Sequence, residues 1–184
     1  VLLPFKPNGK AQHVKGFLAR FERTARTTAT LLNRIADLNI QMIGADASLV
    51  LCYRDEYEKI LGKGRGDFRV DTLTEWLDKV PKERISALSV KPDHKQAVFK
   101  LLAHCTEKTA LPKTESQWQV FFEHLGLQLE VVPVGCCGMA GTYGHEAENL
   151  ERSKTLYAMS WEQTLAKLPA SQILISGYSC RSQV

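Results

Sequence analysis

Two adjacent cysteines, Cys136 and Cys137, are the residues of this chain best suited to chemistry. A single buried cysteine needs no special explanation, but neighbouring side chains point in different directions and cannot both fill one gap in a core. The segment around them is rich in glycine, which lets the backbone approach another group closely or adopt positive φ angles. These glycines are Gly135, Gly138, Gly141 and Gly144. The pattern predicts a metal centre held by thiolates of this loop.

Three further cysteines, Cys52, Cys105 and Cys180, each lie near the end of a predicted strand. Cysteine thiolates hold iron–sulfur clusters, usually four for a [4Fe–4S] cluster. Four candidate ligands are available in Cys105, Cys136, Cys137 and Cys180. Adjacent cysteines can reach different irons, whereas a single tetrahedral zinc ion requires both to converge on one point. Free thiols or a vicinal disulfide are the simpler alternatives for the pair, and a buried structural thiol is the alternative for Cys52.

Strands alternate with helices along the chain. Short apolar runs predict strands over 1–5, 40–44, 97–103, 127–132 and 171–176. Amphipathic or capped segments predict helices over 12–37, 48–61, 71–80, 115–125 and 146–167, with an irregular stretch over 81–93. Such alternation predicts an α/β fold with small, mostly parallel sheets flanked by helices. Ligands of such sheets bind beyond the carboxyl ends of the strands, which is where the candidate ligands fall.

An internal repeat predicts that the chain consists of two related lobes. Residues 3–11 match residues 132–140 at one constant offset, with a proline, a glycine and an alanine in common. A long helix and then a strand follow each copy. We interpret the repeat as a duplication, with a first half over 1–90 and a second half over 91–184.

The two predicted halves differ at the position of the cysteine pair. The first half carries Pro7-Asn8 where the second carries Cys136-Cys137. Because proline cannot ligate a metal, the first half is a degenerate copy that lacks this site. Cys52 and Cys180 look like equivalent positions in the two halves, at an offset that differs by one from that of the repeat.

Composition narrows the functional classes. The 184 residues carry a net charge of only +4, with basic residues scattered among acidic ones, whereas nucleic-acid binding usually requires a localised basic surface. No apolar run approaches the roughly 18 residues of a membrane-spanning helix. Five cysteines do not match a disulfide framework, which favours a reducing compartment. We expect a cytoplasmic location, with peripheral association at the inner membrane left open. Because the chain begins at Val1 without a methionine, we also expect it to be a fragment of a larger protein.

Three segments carry a resemblance to a known family. They are Cys-Cys-Gly-Met-Ala-Gly-Thr-Tyr-Gly-His-Glu at 136–146, Leu-Cys-Tyr-Arg-Asp-Glu-Tyr at 51–57 and Gly-Tyr-Ser-Cys-Arg-Ser-Gln at 177–183. Over nearly its whole length the chain resembles the cysteine-rich CCG domain family. That family includes a subunit of heterodisulfide reductase and the iron–sulfur subunits of glycolate oxidase, lactate-utilisation and anaerobic glycerol-3-phosphate dehydrogenase systems. Within it, the chain looks most like the C-terminal iron–sulfur domain of large bacterial FAD-linked dehydrogenases acting on D-2-hydroxy acids such as D-lactate or D-2-hydroxyglutarate.

The resemblance implies electron transfer within a larger flavoenzyme. FAD in an upstream domain of the same polypeptide would oxidise the D-2-hydroxy acid, and a ferredoxin-like part and this domain would carry the electrons onward. The family's ligands carry over to Cys105, Cys136, Cys137 and Cys180. The chain departs from the family pattern at Pro7-Asn8 and at Cys180, which lacks the second cysteine of a Cys-x-x-Cys ending. We therefore expect one cluster, with Cys52 as the only spare ligand, and no dehydrogenase activity in the isolated fragment.

Residues beside the cysteines complete the predicted site. Backbone N–H groups around Gly135, Gly138 and Gly141 are expected to stabilise the negative charge of the cluster. His104 is a candidate hydrogen-bond donor to a cluster sulfur, with an exposed loop histidine as the alternative. Two other functions stay open: cluster-based thiol or disulfide catalysis, as in heterodisulfide reductase, and a non-enzymatic docking module that binds zinc or no metal. The sequence leaves the substrate and the electron acceptor open.

Overall fold

A computed structural model describes residues 2–3 and 5–184 of the chain. They form two compact units, Val1–Leu73 and Thr74–Val184, and each unit contains a small parallel sheet flanked by helices. The predicted α/β class is therefore confirmed. The boundary between the units precedes the predicted one at 90/91, because the intervening segment packs within the second unit. There Ser86 Oγ donates a hydrogen bond to the carbonyl oxygen of His124 at 3.0 Å.

The first unit contains four helices and two strands in its described residues. Its elements in chain order are helix α1 (Lys10–Val14), helix α2 (Leu18–Ala36), strand β1 (Met42–Gly44), helix α3 (Ala47–Leu51), a π-helical turn (Cys52–Glu56), helix α4 (Tyr57–Leu61), a 3-10 turn (Gly62–Arg65) and strand β2 (Val70–Thr72). Strands β1 and β2 pair in parallel, with Met42 opposite Val70. The buried face of α2 packs with β2 and the π-helical turn into one apolar core.

Three predictions for the first unit need correction. The helix predicted over 12–37 is two helices, because Gly16 between them has a φ of 76°. Of the strand predicted over 1–5, Val1 and Pro4 lie outside the described residues, and residues 2, 3 and 5 are exposed and belong to no strand. The segment from Asp71, predicted to cap a helix, instead belongs to strand β2, which pairs with β1 and is buried.

The second unit begins with short helices and then builds a three-stranded sheet. Its elements in chain order are helix α5 (Leu73–Leu77, which starts at the boundary), helix α6 (Lys82–Ser86), helix α7 (Pro92–Lys95), strand β3 (Val98–Leu102), helix α8 (Cys105–Ala110), helix α9 (Thr114–His124), strand β4 (Gln128–Val131), 3-10 turns (Tyr143–His145 and Ala147–Asn149), helix α10 (Leu150–Tyr157), a π-helical segment (Ala158–Glu162), helix α11 (Gln163–Leu165), a 3-10 turn (Ala170–Gln172), strand β5 (Ile173–Ile175) and helix α12 (Tyr178–Gln183). The strand order is β4-β3-β5, and both pairings are parallel.

The strands of this sheet lie where the sequence predicted them, but several helices were missed. The stretch over 81–93, predicted to be irregular, contains α6 and α7. Helices α8 and α12 were not predicted, although each carries a cysteine. All four helices have only four to six residues, which is too short for an apolar period to register. None of the helices in the described ranges combines the length and the apolar character that crossing a bilayer demands.

Candidate metal centre

The sheet of the second unit directs three cysteine-bearing segments to one edge. Cys105 begins α8 directly after β3, and Cys180 lies in α12 after β5. Cys136 and Cys137 follow β4 in a loop of irregular backbone. Because β3, β4 and β5 run parallel, their carboxyl ends lie at the same edge of the sheet. The fold therefore collects four of the five cysteines from segments that are distant in sequence.

The four thiols of this edge contact one another in pairs. The thiol of Cys180 lies within hydrogen-bonding reach of the thiol of Cys137, and the thiol of Cys105 lies within such reach of that of Cys136. Cys180 also lies within electrostatic reach of Cys105 and Cys136. Cys137 and Cys180 are buried, Cys105 is half-buried and Cys136 is exposed. The sulfurs thus form one group with a buried side and an open side.

The glycine loop aims backbone N–H groups at the sulfurs. The N–H groups of Met139 and Ala140 lie within hydrogen-bonding reach of Cys137 Sγ, and Cys136 Sγ accepts a hydrogen bond from the N–H of Gly138 at 3.4 Å. Gly138, Ala140 and Gly141 have φ angles of 89°, 41° and 70°. Left-handed residues of this kind turn successive N–H groups toward one side, which creates a concavity that binds anions.

Hydrogen bonds and burial shift the pKa values of these thiols in different directions. The pKa of Cys137 falls to about 6, because the thiol of Cys180 and the loop N–H groups donate to its sulfur and outweigh its burial. The pKa of Cys180 is raised, because it is the donor to Cys137 and is itself buried. Burial also raises the pKa of Cys136, partly offset by the N–H of Gly138. Without any metal the chain therefore already favours a thiolate at Cys137.

The other predicted cofactor residues have different contacts. The N–H of Gly135 donates to Ser160 Oγ at 2.9 Å, and a Cβ built at Gly141 would meet open space. His104 is buried, so the alternative of an exposed loop histidine is wrong. Its ring packs against Gly177, where a Cβ would lie 2.6 Å from His104 Cδ2. His104 is thus held in place at the start of α8, next to Cys105.

Cys52 belongs to the core of the first unit. Its side chain is fully buried among apolar and aromatic residues such as Phe21, Val50 and Tyr57. Burial raises the pKa of Cys52 to about 12, and the nearby charge of Glu56 adds to the effect. This environment is that of a neutral structural thiol, in contrast to Cys137.

The donor set at this edge of the sheet consists of thiols. Four thiols from three segments, together with the N–H groups of the loop, are donors of the kind that hold iron–sulfur clusters. Within residues 2–3 and 5–184, no three His, Cys, Asp or Glu side chains are arranged to hold a metal ion.

Two residues that the sequence analysis missed connect the cysteine segments. The carboxylate of Glu107 is buried in α8 and accepts a hydrogen bond from Ser176 Oγ at 2.6 Å. The neighbouring Lys108 donates from Nζ to the carbonyl oxygen of Val134 at 2.8 Å. The sequence signal for them is the pair of oppositely charged residues, Glu107 and Lys108, that closely follows the candidate ligand Cys105. Their contacts could not be predicted, because helix α8 itself was not predicted.

Comparisons with known proteins point to parts of larger dehydrogenases. The chain is 57% identical over all of its 184 residues to part of a protein from Pantoea ananatis named D-2-hydroxyglutarate dehydrogenase. It is 53% identical over 185 aligned positions, again its whole length, to part of the Escherichia coli K12 protein of the same name. The chain spans 18% of the length of each of these relatives.

A weaker likeness involves a second kind of protein. One of the subunits of the anaerobic glycerol-3-phosphate dehydrogenase of Escherichia coli K12 is 26% identical over 178 residues, which cover 92% of this chain and 42% of that protein. No protein-family model matches the chain, and no solved structure does. The likeness thus covers both units, and all of these relatives have names of dehydrogenases or their subunits.

Proposed function

We propose that the second unit holds one iron–sulfur cluster and transfers electrons within a larger FAD-linked oxidoreductase. The observation that carries this proposal is the pairing of thiols across three strand ends, Cys137 with Cys180 and Cys105 with Cys136. A [4Fe–4S] cluster held by these four cysteines would supply one-electron transfer. Cys52 is not among the proposed ligands.

The residues of the chain have distinct tasks in this proposal. The four thiolates hold the irons, and the N–H groups of Met139 and Ala140 offset the negative charge on the side of Cys137. The burial of Cys137 and Cys180 excludes water from one side of the site. The exposure of Cys136 leaves the other side open, and we propose that electrons enter or leave there.

The relatives' names support a role in the oxidation of a D-2-hydroxy acid. We propose D-2-hydroxyglutarate or a similar acid, such as D-lactate, as the substrate of the whole protein. In this proposal FAD lies in another domain of the same polypeptide, a ferredoxin-like domain mediates between it and this cluster, and the present chain alone has no dehydrogenase activity. The free thiols are kept reduced in the cytoplasm.

A second candidate function is thiol or disulfide chemistry at the cluster itself. The observation that favours it is again Cys136, whose exposed thiol would give a substrate access to one side of the site. Electron transfer and this chemistry differ in a measurable property, because a catalytic cluster should bind a small thiol or disulfide and show a saturable change in its spectrum at constant redox state.

Metal analysis of anaerobically purified protein tests the proposal. We expect iron and acid-labile sulfide in equal amounts, about four of each per chain, and a broad visible absorption that bleaches on reduction. Reconstitution with ferrous iron and sulfide under anaerobic conditions should restore this content in protein that has lost it. Zinc in place of iron, or reconstituted protein that binds neither iron nor sulfide, would contradict the proposal and support a docking module.

A further inference from the structure

The buried carboxylate of Glu107 lies at the centre of a hydrogen-bond network in the second unit. Glu107 is only 4% exposed, and burial of a carboxylate is unfavourable unless donors satisfy it. Here Oε1 accepts from Thr114 Oγ1 and from Trp118 Nε1 at 3.3 Å, while Oε2 accepts from Ser176 Oγ at 2.6 Å. All three donors are neutral groups. These contacts therefore stabilise the carboxylate by hydrogen bonds and not by an ion pair.

Ser176 links this carboxylate to the segment of a different cysteine. Its hydroxyl donates to Glu107 and accepts a hydrogen bond from the backbone N–H of His104 at 3.0 Å. His104 directly precedes Cys105, and Ser176 follows β5 just before the helix that carries Cys180. One serine hydroxyl therefore connects the backbone before Cys105 to the loop that leads to Cys180.

The next residue of the same helix reaches the third cysteine segment. Lys108 Nζ donates to the carbonyl oxygen of Val134 at 2.8 Å, and Val134 stands two positions before Cys136. Two consecutive side chains of α8 thus extend to the two other segments. Helix α8 begins at Cys105, so these contacts fix all three segments relative to a single helix.

We infer that Glu107, acting through Ser176, is a positioning residue that sets the spacing between Cys105 and Cys180. This inference rests on the proposed cluster. Glu107 touches no thiol in the described contacts, and its effect passes through Ser176 and the amide of His104. The hydroxyl of Ser176 needs an acceptor and a donor at once. The carboxylate of Glu107 is an acceptor only, so it fixes the direction of this bridge.

Substitutions at the bridge test the inference in the reconstituted chain. Ser176→Ala removes both hydrogen bonds of the bridge, Ser176→Thr keeps the hydroxyl, and Glu107→Gln replaces the acceptor oxygen by an amide donor. Ser116→Ala is the matched control, because its hydroxyl makes one hydrogen bond to the Lys113 carbonyl oxygen on α9. The measurements are the rate of iron loss to a chelator, the electron paramagnetic resonance spectrum of the reduced cluster, amide hydrogen exchange at His104 and urea unfolding of the cluster-free chain.

The expected pattern separates positioning from general stability. Loss of a group that orients metal ligands typically weakens metal binding by about 10- to 100-fold. We therefore expect Ser176→Ala and Glu107→Gln to lose iron about tenfold faster than wild type, with a changed spectrum and faster exchange at His104. Ser176→Thr and Ser116→Ala should match wild type in all measurements.

Two results would overturn the inference in different ways. If exchange at His104 becomes faster in Ser176→Ala while the iron-loss rate and the spectrum stay unchanged, the bridge does not position the ligands. The same holds if iron loss increases only by the factor by which global unfolding increases. If wild-type protein takes up no iron and sulfide, the proposed function itself is wrong and the inference is wrong with it.

Discussion

The two units share a left-handed glycine at one position of the repeat but carry different side chains before it. Gly9 and Gly138, which match in the repeat, have φ angles of 81° and 89°. In the first unit the backbone N–H of Lys10 donates to Asn8 Oδ1 at 3.0 Å. In the second unit the N–H of Met139, at the matching position, donates to the sulfur of Cys137. After this glycine the backbones diverge, because the first unit continues into helix α1 whereas Ala140 and Gly141 of the second have positive φ angles. Side chains and loop conformation thus both distinguish the second unit from the first.

The buried cysteines Cys52 and Cys180 also differ between the two units in their surroundings. Cys52 and Cys180 are 0% and 1% exposed, so burial does not distinguish them. Cys180 faces the thiol of Cys137, whereas Cys52 packs in an apolar and aromatic core. In the first unit, the hydroxyl of Tyr57 also donates a hydrogen bond to the carbonyl oxygen of Asn8 at 2.8 Å. This bond ties the loop to the core of the unit. A second thiol, not burial, makes the difference between a core residue and a candidate ligand.

The largest expected effect comes from exchanging each of these two cysteines for alanine. Cys180→Ala removes a proposed ligand, while Cys52→Ala removes a side chain from a core. Because loss of even outer partners weakens metal binding by about 10- to 100-fold, Cys180→Ala should lose iron to a chelator at least about tenfold faster and retain less iron and sulfide. Cys52→Ala should keep the full iron and sulfide content after anaerobic reconstitution, which colorimetric iron and sulfide assays measure.

Protein stability supplies the control for this pair. Both substitutions delete one buried sulfur and should lower the free energy of unfolding of the cluster-free chain by similar amounts, about 1–2 kcal/mol. Equal loss of iron in the two variants would contradict the distinction drawn between the units. Loss in Cys52→Ala alone would reverse it.

The sequence could predict which strand ends bring the cysteines together, but not the side-chain contacts among buried polar residues. Strands β3, β4 and β5 follow from short apolar runs, and parallel strand ends bring their cysteines together. Strand β2 could not be predicted in this way, because Asp71 is buried only through partners that other segments supply. Gln41 donates to its Oδ2 at 3.1 Å, and Arg54 forms an ion pair with its Oδ1 at 3.9 Å.

The bridge through Ser176 escaped prediction for the same physical reason. Its partner Glu107 lies on a helix of six residues, whose formation depends on contacts with other segments rather than on local periodicity. The thiol pairing of Cys137 with Cys180 was predicted only as a general convergence. Which cysteine donates depends on the N–H groups of the loop, and these follow from φ angles that the glycine pattern only suggests.

The next effect concerns the two matching glycines. Alanine at either position adopts an unfavourable left-handed conformation, which costs about 1–2 kcal/mol. A Cβ at Gly138 would lie 2.2 Å from the backbone oxygen of Ser153, whereas a Cβ at Gly9 would lie 2.7 Å from the Phe21 ring. A ring yields more easily than a backbone, so Gly138→Ala should lower the free energy of unfolding by about 3 kcal/mol and Gly9→Ala by less. Urea unfolding of both cluster-free variants measures this difference.

Gly141 isolates the conformational part of this effect. Its φ is 70°, and a Cβ there would meet no atom within 4 Å. Gly141→Ala should therefore lose only about 1 kcal/mol. If Gly9→Ala destabilises the chain more than Gly138→Ala does, the second loop is the less tightly packed one and the comparison of the loops is reversed.

The last prediction tests whether Cys52 is neutral in the folded chain. Burial raises the pKa of Cys52 to about 12, against about 8.5 for a free cysteine in the unfolded chain. Between these values the folded state binds the extra proton, so the stabilisation is complete below about pH 8.5 and is lost as pH rises toward 12. Relative to Cys52→Ala, the cluster-free wild type should lose about 2 kcal/mol of unfolding free energy between about pH 8 and pH 10.

The comparison with Cys52→Ala cancels the titration of groups that do not interact with Cys52. Tyr53 and Tyr57 are present in both proteins; burial is the main cause that raises their pKa values, and the charge of the Cys52 thiolate adds to it in the wild type only. Urea unfolding of the two chains at the two pH values measures the difference directly. A thiolate stabilised in the folded state, as at Cys137, has a lowered pKa and gives stability that increases with pH. If the difference between wild type and Cys52→Ala increases with pH, Cys52 has the environment of a ligand, and the first unit is no longer the inert counterpart of the second.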